Sequence, residues 1–261
     1  MNTNKSLGQH WLNDEAVLSS ICETADLSAN DVVLEIGPGL GALTWYLTDK
    51  AKRVVAVEFD SELAKALKNR VDADNLEVVC QDILKFNLSE LPKNYKIVAN
   101  IPYYLTSKLI RTISESKNPP IKTVLLVQKE VAERIAAKPG GMSLLSVTAQ
   151  YYWEISLGIV VKAESFTPPP KVDSQVIIMD RRNEPLFDVD EKKFFRVVKA
   201  GFASRRKTLL NSLSGGLRIT KSETKKLLEN VEVDIGLRPQ ALSMSDWCKI
   251  YVESQKSGLL D

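Results

Sequence analysis

Asn100-Ile101-Pro102-Tyr103 places a side-chain amide, a rigid turn and an aromatic ring in four consecutive residues. An exocyclic adenine amine is a poor nucleophile because its lone pair is delocalised into the ring. The Asn100 side-chain oxygen and a backbone carbonyl near Ile101 can together accept its N–H groups and favour a more tetrahedral nitrogen. Pro102 fixes the turn so that the carbonyl before it points into a site, and Tyr103 offers a face on which a flipped base can stack. An ordinary Asn-Pro turn would hold the same residues, so their position matters: they close a strand.

Three further groups belong at that edge. Glu35-Ile36-Gly37-Pro38-Gly39-Leu40-Gly41 joins an apolar run to a helix-compatible segment, where ligand and turn crowd the backbone and leave no room for a Cβ. Glu58, at the end of the next apolar run, can accept hydrogen bonds from both ribose hydroxyls of an adenosine ligand. Asp82 ends a third run, where its carboxylate or a neighbouring amide can meet an adenine amino group. With Ala42 standing for the last glycine, the loop also satisfies G-x-G-x-x-G, so the loop alone leaves an NAD-dependent oxidoreductase open.

The elements that must position these residues are legible as apolar runs. Strands are expected at 31–37, 53–57, 76–80, 96–99 and 123–128, with helices at 40–50, 61–70 (Ser61 as N-cap) and 129–137. This alternation predicts an α/β fold, a doubly wound, mostly parallel sheet. Two more strands, 153–162 and 172–180, flank the turn Phe166-Thr167-Pro168-Pro169-Pro170. Beyond about residue 184 the pattern predicts helices only, at 189–203, 207–213, 222–230 and 243–254, with Gly215-Gly216 and Gly236 as breaks. The expected domains are therefore 1–183 and a small all-α domain, 184–261.

Composition narrows the chemistry. The 261 residues are 44% hydrophobic and 26% charged, which suits a chain that buries a sizeable core. His10 is the single histidine, so a zinc site would need remote cysteines or carboxylates alone, and a Ser-His-Asp hydrolase would lack its G-x-S-x-G elbow. Cys22, Cys80 and Cys248 are scattered and suggest no disulfide framework, which with the absence of a membrane-length apolar run or an apolar leader points to the cytoplasm. The whole chain carries 35 Lys+Arg and 33 Asp+Glu, of which 16 and 11 lie from Arg181 onward, leaving 19 and 22 before it. That basic tail, with Arg205-Arg206-Lys207 clustered, either meets a polyanion or is a solvated helical surface.

Taken together, the segments resemble the bacterial small-subunit ribosomal RNA adenine dimethyltransferases, relatives of the erythromycin-resistance rRNA methyltransferases. The likeness runs through Ser6 to Asn13, Glu35 to Gly41, Glu58, Gln81-Asp82, Asn100 to Tyr104, Gln128 to Val131, Phe166 to Ser174, Arg205 to Thr208 and Leu210 to Leu213. It implies a class I methyltransferase, Rossmann-like domain with S-adenosylmethionine as donor and no metal. It assigns donor contacts to His10, Leu12, Gly37, Glu58, Asp82 and Asn100, and places Phe166 opposite Tyr103 around the target base. His10 stands where some members carry asparagine, and Trp11 where phenylalanine is usual. The implied reaction is direct attack of adenine N6 on the donor methyl, with Asn100, Pro102, Tyr103 and Phe166 around the amine. The implied target is two adjacent adenosines in a hairpin near the 3′ end of small-subunit rRNA, each methylated twice. The partner would be that rRNA or an assembling small subunit, gripped by Arg205, Arg206 and Lys207, and the protein would be a monomer. A resistance-type enzyme acting on large-subunit rRNA and a non-catalytic RNA-binding assembly factor are the competing readings.

Overall fold

A computed structural model of the protein describes residues 10–204 and 206–260. Along the chain, β1 (Trp11–Leu12) and α1 (Glu15–Thr24) precede β2 (Val32–Ile36), α2 (Ala42–Lys50), β3 (Arg53–Glu58), α3 (Ser61–Arg70), β4 (Leu76–Cys80), β5 (Lys96–Asn100), α4 (Thr106–Ser114), β6 (Lys122–Gln128) and α5 (Lys129–Ile135). Then come α6 (Leu144–Tyr152), β7 (Trp153–Val161), β8 (Phe166–Thr167), β9 (Ser174–Arg181), α7 (Glu191–Phe202), α8 (Leu209–Leu217), α9 (Lys221–Asn230) and α10 (Met244–Lys256). They form two compact units, one built from the residues up to Glu133 with Trp153–Arg181, the other from Arg134–Tyr152 with the residues from Arg182 onward. The sequence boundary at 183/184 leaves Arg134–Tyr152 with the first domain; in the fold this segment groups with the helical unit.

In the first unit the seven-stranded sheet has the order β4-β3-β2-β5-β6-β9-β7. The strands from β2 to β6 are parallel, whereas β9 lies antiparallel to both β6 and β7. Runs such as Val54–Val57, Ile97–Ala99 and Val124–Val127 are buried because helices cover both faces of a wound sheet. Strand direction and the pairing of β9 between β6 and β7 are not encoded in any local period. The chain winds from β2 outward to β3 and β4, then returns to pair β5 against the other side of β2. The order reverses there, which opens a crevice at the carboxyl ends of β2 and β5.

Two local expectations are corrected. Asp60, not Ser61, caps α3, its carboxylate accepting from the Glu62 and Leu63 amides, because the extended backbone sits one residue earlier. Gly215 and Gly216 do not break a helix; they lie inside α8, which ends at Arg218 in the left-handed region. Gly216 is required there by packing, since a Cβ would fall 2.5 Å from the Ala200 Cα of α7. Helices α1, α4 and α6 had not been anticipated. In the helical unit, Tyr151, Tyr152, Phe194 and Phe195 pack edge and face on one another, and Trp247 is buried against Gly201.

Candidate active site

The loop between β2 and α2 turns through three glycines at positive φ. At Gly39 the crowding comes from the protein itself, because a Cβ would lie 2.3 Å from the Trp11 ring. The Gly39 amide donates to Glu58 Oε2 at 3.1 Å, so the last residue of β3 ties the loop down. Glu58 Oε1 accepts from the Asp60 amide at 2.9 Å. Burial holds the Glu58 carboxyl above its ordinary value, and these amide donors oppose the rise. Each oxygen of this buried side chain keeps lone-pair capacity beyond those amides.

Glu35 sits inside the apolar run of β2 and is fully buried, with Oε2 unpartnered, as is Thr44 Oγ1. Burial pushes its carboxyl up to about 8, opposed by the nearby Thr44 hydroxyl and reinforced by the Glu58 carboxylate. In the sequence Glu35 reads as the start of the glycine loop. A lone acid in the middle of Val32-Val33-Leu34-Glu35-Ile36 was the signal for it. Asp82 is half-buried and caps a short 3₁₀ turn through the Leu84 amide at 3.0 Å.

The Asn100 side chain has no hydrogen-bond partner among the described residues, which leaves its amide oxygen available to a bound amine. Tyr103 is held differently. Its hydroxyl meets Ser174 Oγ at 2.8 Å, and Ser174 is fully buried at the start of β9, paired to both β6 and β7. The His10 ring stacks towards Tyr103, centroids 6.1 Å apart at 25°, and His10 Nδ1 lies 2.7 Å from the Pro168 carbonyl oxygen. Leu12 pairs with Phe166 in the short β1–β8 ladder, which brings the N-terminal segment beside the proline-rich turn. Phe166 is only 3% exposed, so it is a cavity wall backed by the core and not a free-standing face.

His10, Leu12, Gly37, Glu58, Asp82, Asn100, Pro102, Tyr103 and Phe166 all line one cavity of ≈ 320 Å³, together with Glu35. Arg206 and Lys207 belong to the other unit and are exposed, and Arg205 lies outside the described residues. Among the described residues no group of three or more His, Cys, Asp or Glu is placed to hold a metal ion, and no helix is long and apolar enough to cross a membrane. The one cavity thus offers acidic side chains to a cationic ligand and, in Asn100, an amide with no partner among the described residues to a planar amine.

The family described as Ribosomal RNA adenine dimethylase matches residues 1–256. A relative from Dehalococcoides mccartyi (strain CBDB1), Ribosomal RNA small subunit methyltransferase A, is 42% identical over 97% of this chain and 89% of its own. The protein of that name from Streptococcus thermophilus (strain ATCC BAA-250 / LMG 18311) is 40% identical over 98% of this chain and 93% of its own. Among solved structures, a dimethyladenosine transferase from Plasmodium falciparum is similar with a TM-score of 0.83 and 28% identity, covering 95% of this chain and 98% of that one. The 23S rRNA methyltransferase ErmE is similar with a TM-score of 0.75 and 28% identity, covering 93% and 98%.

Proposed function

The chain belongs to the ribosomal RNA adenine dimethylase family, and from that premise we propose that it methylates N6 of two adjacent adenosines in a hairpin near the 3′ end of small-subunit rRNA, using S-adenosylmethionine. The observation that carries this reading is the convergence of Asn100, Pro102 and Tyr103 on the same cavity as Glu35, Glu58 and Asp82. The name shared by the bacterial relatives supports the small-subunit target.

The donor's chemistry fits the residues present. Its sulfonium and amine are cationic and suit a cavity that holds the Glu58 and Asp82 carboxylates, while the orphaned Glu35 oxygen offers a further hydrogen-bonding partner. Its ribose hydroxyls suit Glu58 and its adenine amine suits Asp82, while His10, Leu12 and Gly37 complete the walls. When bound, it supplies an electrophilic methyl group. Asn100 then holds the N6 amine through its side-chain oxygen, and Tyr103 and Phe166 confine the base. The N6–methyl bond forms as the carbon–sulfur bond breaks, and the displaced proton passes to water. The residues act by positioning and by hydrogen bonds to the reacting amine, without a strong general base.

In this reading the first unit performs the chemistry and the helical unit, whose bulk is residues 184–261, grips rRNA or an assembling small subunit through Arg205, Arg206 and Lys207. The enzyme works as a monomer in the cytoplasm, a setting that its scattered cysteines suit. The test is transfer from labelled S-adenosylmethionine to purified small- and large-subunit rRNA, followed by mapping of the product. Dimethyladenosine at two adjacent positions of small-subunit rRNA is the expected result. Label on large-subunit rRNA alone would assign the resistance-type activity, and no label on either rRNA or on assembling small-subunit particles would leave an RNA-binding factor.

A further inference from the structure

The charge around the cavity is uneven in a way that the donor does not explain. Its lining carries the acidic side chains Glu35, Glu58 and Asp82, yet Lys108 is the single Lys or Arg among the described lining residues. Lys108 lies in the first turn of α4, is exposed, and has no ion-pair partner among the described residues. Arg111, one turn further along, is already paired with Glu115 at 2.9 Å. Tyr104, four residues before Lys108 in the turn that leads into α4, also lines the cavity and is 65% exposed, although it follows directly on half-buried Tyr103. Both exposed side chains therefore stand at the mouth, on the side of the catalytic turn.

A polynucleotide cannot deliver a base to Asn100 without bringing its own phosphodiesters to that mouth. The Glu58 and Asp82 carboxylates that favour a cationic donor repel those phosphates, and a low-dielectric cavity strengthens the repulsion. One solvated ammonium at the rim offsets it at little desolvation cost. A bare aromatic face beside it gives the adjoining base a stacking surface that tolerates any sequence. Resting on the methyltransferase reading above, we infer that Lys108 and Tyr104 form a subsite for the phosphodiester and the base next to the adenosine held in the cavity. Tyr103 receives the reacting base, Tyr104 its neighbour, and Lys108 the charge between them and solvent.

The experiment measures binding of the full-length protein to a hairpin RNA with two adjacent loop adenosines across a series of salt concentrations, with S-adenosylmethionine binding followed by calorimetry in parallel. Lys108→Gln should weaken RNA binding and lower the slope of log affinity against log salt by about 0.7, one single-strand phosphate's worth of released counterion. Lys108→Arg should restore the slope, and donor affinity should stay at the wild-type value in both. Tyr104→Ala should weaken RNA binding where Tyr104→Phe does not. An unchanged slope in Lys108→Gln overturns the subsite. So does a loss of donor affinity with the slope intact, which would assign the ammonium to the donor's carboxylate. Methyl transfer to small-subunit particles, measured separately with the wild-type protein, tests the methyltransferase reading: its absence on both naked rRNA and particles would defeat that reading, a result that the Lys108 comparison does not mimic.

Discussion

Tyr103→Phe and Ser174→Ala probe whether the stacking face or the hydroxyl of Tyr103 matters to the reaction. The hydroxyl is 2.8 Å from Ser174 Oγ, which is fully buried at the head of β9, and burial keeps the phenol above its ordinary value while Ser174 opposes the rise. A neutral hydrogen bond of this kind contributes about 0.5–1.5 kcal/mol net. Deleting one partner also orphans the other, so each single variant should lose about 1–3 kcal/mol of folding stability and the double variant less than their sum. The ring survives in Tyr103→Phe, so its methylation rate should stay within about tenfold of wild type, the span of that one bond. Tyr103→Ala removes the face as well. Base stacking is worth about 1–3 kcal/mol, so kcat/KM for rRNA should fall by about 5- to 150-fold. The assays are urea unfolding for the stability cycle and rapid-quench methylation of small-subunit particles with saturating donor. If Tyr103→Phe is as slow as Tyr103→Ala, the hydroxyl serves the chemistry directly and the stacking role fails. Additive stability losses would show that Ser174 and Tyr103 are not coupled as the geometry requires.

Glu58→Ala should weaken S-adenosylmethionine binding by about 1–3 kcal/mol in calorimetry, because buried hydroxyls lose their acceptor; unchanged affinity in a folded variant removes Glu58 from the site. Replacing Arg205, Arg206 and Lys207 together with Ala should weaken rRNA binding and flatten its salt dependence while donor binding is unchanged, and an unaltered salt slope would make them a solvated surface. Glu35 has its carboxyl raised by burial to about 8, so the folded protein binds a proton more tightly than the unfolded chain and ligand-free stability should fall as pH rises from about 4.5 to about 8. Urea unfolding across that window should show a shallower fall in Glu35→Gln; equal slopes in the two proteins would contradict the assignment.

How much of this was legible in the sequence follows from where each residue gets its environment. Glu58, Asp82 and Asn100 close or follow apolar runs, and a parallel sheet delivers all such strand ends to one edge, so the cavity could be assembled from the runs alone. Helix α4 gave no starting signal because Leu105 stands at its cap without a side-chain acceptor. Helix α1 does carry one, since Asp14 accepts from the Val17 amide. The Gly215-Gly216 pair looked like a break because helix propensity is local, whereas the need for a missing Cβ comes from Ala200 on another helix. The partners that hold Tyr103 and His10 are remote: Tyr103 meets Ser174 and His10 meets Pro168 only once β9 and the β1–β8 ladder have formed. No periodicity announces such pairs. Likewise, Trp11 as the lid on Gly39 emerges only from the folded loop.

The central claim is that an unpartnered Asn100 amide holds the reacting amine, and single-turnover methylation of small-subunit rRNA particles by Asn100→Ala at saturating S-adenosylmethionine tests it most directly. Loss of a hydrogen bond made to the reacting group predicts a rate lower by a factor on the order of 100 or more, with the particle still bound. A near-normal rate in the folded variant would contradict the catalytic assignment and return the cavity to a binding role.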